Sequence, residues 1–267
     1  HCVTRRQRQM CIRDSFFKCN LFTNINCSFL MKEKIRLNKY IAHAGICSRR
    51  QADTYISSGS IKVNNKIITE LGFKVSSSDA VHFDGVLIKS EKPTYILLNK
   101  PKGFITTTKD ERGRKTVMDL ISKASKNRLY PVGRLDRKTT GLLLLTNDGD
   151  LSKKLTHPSS EIKKLYHVVL DKAINKNDFL KIKEGINLKD GFFKPDELNY
   201  VNGKSKNEIG ISLHSGKNRI VRRIFEFLNY NVVKLDRVIF AGLTKKNLPR
   251  GNWRALNKNE INFLKKL

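Results

Sequence analysis

The segment that most constrains this chain lies near its middle. Four consecutive leucines, Leu142–Leu145, are entered from the polar loop Pro131-Val132-Gly133-Arg134-Leu135-Asp136-Arg137-Lys138-Thr139-Thr140-Gly141. They are left through Thr146-Asn147-Asp148-Gly149. A short uninterrupted apolar run bounded by turn-forming residues reads as a buried strand. A polar loop anchored on such a strand can hold its side chains rigidly in a cleft. Asp136 stands among the cations Arg134, Arg137 and Lys138, and neighbouring positive charge keeps a carboxylate ionised. From these residues alone Asp136 is either a functional carboxylate or half of a structural salt bridge with a loop arginine.

Around this centre the pattern alternates without a regular repeat. Tyr95–Leu98, Tyr166–Leu170 and Ile209–Leu213 read as strands, and the stretches near Val117–Ser125, Leu151–Leu155 and Asp178–Glu184 as helices. Mixed strands and helices lacking a βαβ period indicate an α+β domain, placed at 93–267. Ser90-Glu91-Lys92-Pro93 reads as a linker, and residues 34–90 before it form a unit of their own. There Leu37, Tyr40, Ile41 and Ala44 have helical spacing over 35–44, with Gly45 as the stop. Ser48 and Gln51 form a capping box for a second helix, which buries Ala52, Tyr55 and Ile56 and ends at Gly59. Asn64-Asn65 and Asp84-Gly85 each divide a pair of short β-prone runs, so two hairpins follow.

Charge narrows the partners. Fifty-three Lys and Arg oppose 24 Asp and Glu, a formal net charge of +29. A field of that sign attracts polyanions. The cations are spread along the whole chain rather than gathered in one amphipathic helix, which favours nucleic acid over an anionic membrane surface. No apolar run reaches the 18 residues a spanning helix needs. Arg49 and Arg50 sit in the first turn of a helix, where the dipole disfavours cations and backbone N–H groups point outward. They are either a phosphate-binding end or two solvated arginines. Arg219, Arg222, Arg223 and Glu226 share one helical face, with Ile220, Val221, Ile224, Phe225 and Leu228 over the rest. This is a basic stripe on a buried helix, although a solvated face has the same pattern.

The first thirty residues differ from the rest. They hold four of the five cysteines, at spacings that fit no zinc site. They show no helical or strand period, and their opening resembles translated adapter sequence. Met31 is read as the true start and residues 1–30 as a non-native or disordered leader, with a targeting peptide as the alternative. The one remaining cysteine, Cys47, suits a reducing cytoplasm.

Residues 34–90 resemble the S4 RNA-binding domain. The run Gly133-Arg134-Leu135-Asp136, then Thr139, Gly141, the leucine strand and Asn147-Asp148-Gly149, resembles the catalytic motif of pseudouridine synthases, in the branch that joins an S4 domain to the catalytic domain. Leu98-Asn99-Lys100-Pro101-Lys102-Gly103 with Asp110–Arg114 resembles the first motif of that family, and Ser215–Arg223 its third. The resemblance implies a catalytic domain with a mixed, largely antiparallel sheet and a central cleft. It implies that Asp136 is the essential carboxylate, attacking the ribose or the uracil ring or acting as a base at the ribose. It implies that Tyr166 packs on the target base and that Arg222 pairs with the carboxylate; read alone, Tyr166 is an ordinary strand tyrosine. Relatives carry Gln or Glu where this chain has Ile220, so that position is not carried over. Candidate RNA-binding residues are Arg36, Lys39, Arg49 and Arg50 in the first unit, and Arg134, Arg137, Lys138, Arg219 and Arg223 in the second.

The isomerisation of uridine gains and loses no atom, so no cofactor is called for. Neither a P-loop, a dinucleotide glycine fingerprint nor a His/Cys metal cluster is visible. His43, His82, His157, His167 and His214 are scattered and read as structural or surface residues. The implied partner is ribosomal RNA or a subunit assembly intermediate, met by a cytoplasmic monomer. The surroundings of His157-Pro158-Ser159, Asp190-Gly191 and Leu248–Trp253 resemble the branch acting on large-subunit (23S) RNA, with the small-subunit (16S) branch as runner-up. Two readings of other classes stand beside it: a non-catalytic S4 protein that binds ribosomal RNA as an assembly factor, and a membrane-surface protein.

Overall fold

The computed structural model describes residues 34–267; the expected leader at 1–30 lies outside the described residues. The first part runs β1 (Ile35–Arg36), α1 (Leu37–His43), α2 (Arg49–Ser57), β2 (Ile61–Val63), β3 (Lys66–Ile67), β4 (Lys74–Val75), β5 (Val81–Phe83) and β6 (Val86–Leu87). The sequence places a helix over 35–44, but it begins at Leu37. Ile35 and Arg36 pair with Val75 and Lys74 instead, and the Leu37 amide donates to the Phe73 carbonyl at 2.7 Å. The capping box forms as read: Ser48 accepts from the Gln51 amide, and the Gln51 side chain accepts from the Ser48 amide. Asn64 and Asn65 both take positive φ, 48° and 67°, so the β2–β3 hairpin turns the way strand twist prefers. Leu37, Ile41, Ala52, Ile56, Ile61, Val63, Val75, Val81 and Ile88 close a separate small core.

The second part runs β7 (Tyr95–Lys100), α3 (Val117–Leu120), β8 (Tyr130–Pro131), β9 (Thr140–Thr146), α4 (Gly149–Thr156), β10 (Lys164–Leu170), α5 (Lys176–Glu184), β11 (Ile186–Leu188), β12 (Gly191–Phe193), β13 (Glu197–Tyr200), β14 (Glu208–Leu213), α6 (Ile220–Phe227), β15 (Val232–Phe240), β16 (Leu243–Thr244), β17 (Trp253–Ala255) and α7 (Lys258–Lys266). The helix expected over Val117–Ser125 stops at Leu120. Beyond it the chain tightens into turns, where Ser122 donates to the Asp119 carbonyl and competes with the helical ladder.

The main sheet has the order β13-β14-β10-β15-β9-β7-β17, with β16 on β15 and β8 on β9. Its pairs are antiparallel except β15 with β9, which run parallel in the register Asp236↔Thr140 and Arg237↔Gly141. Along β9, Leu142 and Leu144 enter one core cluster and Leu143 and Leu145 the other. Both faces are covered, which is why the strand is continuously apolar. At Gly141 (φ +105°) an added Cβ would lie 2.3 Å from the Arg237 carbonyl oxygen. Glycine there lets the loop carrying Asp136 enter the sheet against β15.

The expected linker is held at several points. Asn147 accepts from the Thr94 amide at 2.7 Å and donates to Glu91 and to the Lys92 carbonyl. Asp148 caps α4 through the Leu151 amide and accepts from the Tyr95 hydroxyl at 2.7 Å. Burial and this bond together push the Tyr95 pKa up. The Asn-Asp-Gly stretch therefore fastens the segment between the two parts. Asn147→Ala, which removes three hydrogen bonds at a mostly buried site, is expected to cost about 1–3 kcal/mol in urea unfolding.

Candidate active site

The loop between β8 and β9 is carried by neighbours on both sides. Leu135 is buried, its carbonyl accepts from the Thr106 hydroxyl at 2.7 Å, and the Thr139 amide closes a turn onto the Asp136 carbonyl at 3.0 Å. Arg137 donates from Nε to the Gly103 carbonyl at 3.2 Å, and Gly103 donates back to the Arg137 carbonyl. The buried anchor and turn leave Asp136 exposed at the mouth of a cavity of about 470 Å³. Thr106, Arg134, Arg137, Tyr166, Arg219 and Arg237 are among the residues that line it. The structural salt bridge open in the sequence does not form: among the described residues no cationic nitrogen lies within 4.0 Å of the Asp136 carboxylate.

Below the loop lies a residue that sequence reasoning did not assign to the site. Lys100, at the end of β7, is fully buried, and its ammonium donates to the carbonyls of Pro101, Asp136 and Thr139 at 3.2, 3.0 and 2.8 Å. Burial lowers its pKa to about 8; the nearby Asp136 charge acts the other way, and Arg237 lowers it further. A lysine closing an apolar strand was the available signal, because a buried lysine is rare unless it is paired or hydrogen-bonded.

Tyr166 is half-buried in the middle of β10 and packs against two core clusters while lining the cavity. Arg222, on α6, is buried and donates to the Val232 carbonyl at 2.9 Å. Burial lowers its pKa, and the negative charge of Asp136 is the largest influence opposing that. The two residues line an adjoining recess with Arg137, Lys138 and Arg219. Arg222 thus faces the carboxylate without touching it. Ile220, the position that departs from the family pattern, is buried in the core.

The basic residues divide. Arg134, Arg137, Lys138 and Arg219 surround Asp136, all exposed. Arg223 is turned to Asp190, in a two-pronged pair at 2.8 and 3.1 Å, and lines neither recess. Arg219 also meets Glu226 at 3.3 Å. In the first part Arg36, Arg49 and Arg50 are exposed, whereas Lys39 forms an ion pair with Asp150 of α4 at 2.6 Å. His167 meets Glu208 and His214 meets Asp196, at 2.8 and 2.7 Å. Among the described residues no group of His, Cys, Asp or Glu has metal-holding geometry, and no helix is long and apolar enough to cross a membrane.

This geometry agrees with what the chain is similar to. Residues 94–227 match the RNA pseudouridylate synthase family, and residues 35–81 match the S4 domain. The ribosomal large subunit pseudouridine synthase B of Bacillus subtilis is 43% identical over 236 residues, covering 87% of this chain and 96% of that protein. An uncharacterized RNA pseudouridine synthase of Aquifex aeolicus is 37% identical, over 85% of this chain and 92% of its own length. A crystal structure of a pseudouridylate synthase superposes with a TM-score of 0.61 at 30% identity, covering 86% of this chain and 99% of that one. The chain belongs to the RNA pseudouridine synthase family, as an isomerase that carries an S4 domain ahead of its catalytic domain.

Proposed function

We propose that this enzyme isomerises one uridine of large-subunit (23S) ribosomal RNA, with Asp136 as the catalytic carboxylate. The observation that carries the reading is the meeting of Asp136 and Tyr166 in one cavity whose mouth is ringed by exposed arginines. A stacked uridine has to leave its helix to reach such a cavity. Packing on Tyr166 offsets the lost stacking, by about 1–3 kcal/mol for a base on an aromatic ring. Arg134, Arg137, Lys138 and Arg219 hold phosphates at the rim. Arg222, desolvated, faces Asp136 across the adjoining recess. The name of the Bacillus subtilis relative speaks for large-subunit RNA. Residues 34–90 act as the RNA-docking unit and 93–267 as the catalytic unit of a cytoplasmic monomer that works without a cofactor, on free RNA or on an assembly intermediate.

The test is to incubate the enzyme with ribosomal RNA lacking pseudouridine, treat with carbodiimide and map reverse-transcription stops. One new stop in large-subunit RNA is expected. A stop only in small-subunit RNA moves the substrate to that branch. Tight binding with no stop on naked RNA or on assembly intermediates would leave an RNA-binding assembly factor.

Binding itself is expected to weaken with salt, as released counterions require. The double variant Arg134→Ala, Arg137→Ala should flatten the slope of log Kd against log salt, by about 0.7 per lost phosphate contact on single-stranded RNA. An unchanged slope, measured by filter binding from low to moderate salt, would place the phosphates elsewhere.

A further inference from the structure

Arg237, in the middle of β15, is only 3% exposed. Its Nε donates to the Leu142 carbonyl at 2.8 Å, and its guanidinium lies 4.5 Å from the centroid of the Phe240 ring. Its Nη2 is buried and has no hydrogen-bond partner among the described residues. A buried guanidinium N–H without an acceptor is costly, so its presence asks for a ligand. The register shows where it faces. Arg237 lies opposite Tyr166 on the neighbouring strand, so the two side chains share a sheet face, and both line the cavity that holds Asp136. Lys164, two residues before Tyr166, adds a second cation to this wall; burial, and then Arg237, lower its pKa to about 8. The exposed arginines at the rim suit phosphates, whereas Arg237 is buried and lies opposite Tyr166 in the sheet, beside the ring on which a base would lie.

We propose that Arg237 is a further catalytic residue, whose guanidinium, lining the cavity, donates to a carbonyl oxygen of the flipped uracil and stabilises the charge that develops there. This rests on the isomerisation reading above. When the C1′–N1 bond breaks, its electron pair stays with the uracil and spreads onto O2 and O4. C5 then bonds to C1′, the C5 proton leaves and N1 takes up a proton, so product and substrate are isomers. A guanidinium remains charged throughout, and a preorganised donor counts for most where water is excluded. No step requires Arg237 to give up its proton.

Single-turnover rates decide the matter, measured on RNA carrying uridine, 2-thiouridine or 4-thiouridine at the mapped target. Wild type, Arg237→Met and Arg237→Lys are compared, with RNA affinity and melting temperature alongside. Arg237→Met is expected to lose about 100-fold in rate, the scale of one lost oxyanion donor, with Kd within about threefold. One of the two sulfur substitutions should slow wild type about tenfold and leave the Met variant no slower than it already is, because the two changes remove the same bond. A rate within threefold of wild type overturns the proposal. So does equal sensitivity of variant and wild type to sulfur, which would make Arg237 a structural residue. If Arg237→Met does not fold, Arg237→Lys, which keeps the charge, is read by the same sulfur comparison. A wild type that forms no pseudouridine overturns the underlying reading and this one with it, whereas an active wild type with an equally active variant removes only Arg237.

Discussion

Asp136→Asn is expected to abolish pseudouridine formation, with a loss of at least about 10⁴-fold, the scale seen when an acid–base or nucleophilic group is removed outright. The substitution keeps shape and removes charge. Asp136 makes no ion pair among the described residues, and its backbone, rather than its side chain, holds the loop through Lys100 and Thr139. Stability should therefore change by less than about 0.5 kcal/mol. RNA binding should persist, since the rim arginines are untouched and one repelling carboxylate is gone. Carbodiimide mapping, a filter-binding curve and a melting curve on the same preparations check all three. Stops that survive in the variant would show that the chemistry belongs to another group.

Lys100→Met should act on the same loop from below, through stability. The ammonium is the shared donor for three carbonyls, two of them in the Asp136–Thr139 turn. Methionine fills similar space but leaves those acceptors without a donor at a fully buried site. The expected destabilisation is about 2–4 kcal/mol, at roughly 1–3 kcal/mol per stranded acceptor with partial relaxation. Activity should fall as well, because the turn that presents Asp136 loses its anchor. The effect has a pH signature. Folded Lys100 titrates near 8 against an ordinary 10.5. Below about pH 8 both the folded and the unfolded chain carry the proton, and burial of the charge opposes folding in full. Between about 8 and 10.5 the unfolded chain binds more protons, so stability rises with pH across that window. The methionine variant lacks this titration. The gap in urea-unfolding free energy between wild type and Lys100→Met should therefore widen in favour of wild type from pH 8 toward 10.5. A gap that is flat, or that narrows, would mean that Lys100 is not buried as a charge.

The parallel joint between β9 and β15 brings the active-site parts together. Gly141 and Arg237 are almost a hundred positions apart in the chain, yet they face each other across it, and Arg237 bonds the carbonyl of Leu142. Lys100 reaches the loop from the opposite side, where β7 pairs with β9 so that Lys100 meets Gly141. Lys100 thus holds the loop that carries Asp136, and Arg237 holds the strand that leaves it. Substitution of Lys100 should change the geometry of Asp136 more than its environment of exposed arginines.

The features legible in the residues alone are local. A run of leucines after a loop of Gly, Arg and Asp specifies a buried strand with a polar entrance. Ser48 and Gln51 specify a helix start, and Asn64-Asn65 and Asp84-Gly85 specify turns, since capping and turn geometry depend on neighbours a few residues away. The long resemblance over the loop implies roles for Asp136, Tyr166 and Arg222 as a set. The tertiary structure alone decided which cations meet the loop and which turn elsewhere. Arg223 lies on the same helix as Arg222, but Asp190 draws it aside. Lys39, a candidate RNA contact, forms an ion pair with Asp150. Lys100 and Arg237 each sit in an apolar strand, where periodicity marks only a charge out of place. Their roles come from acceptors on strands distant in the chain. Such pairings depend on strand order and register, which the spacing of residues within one segment does not encode.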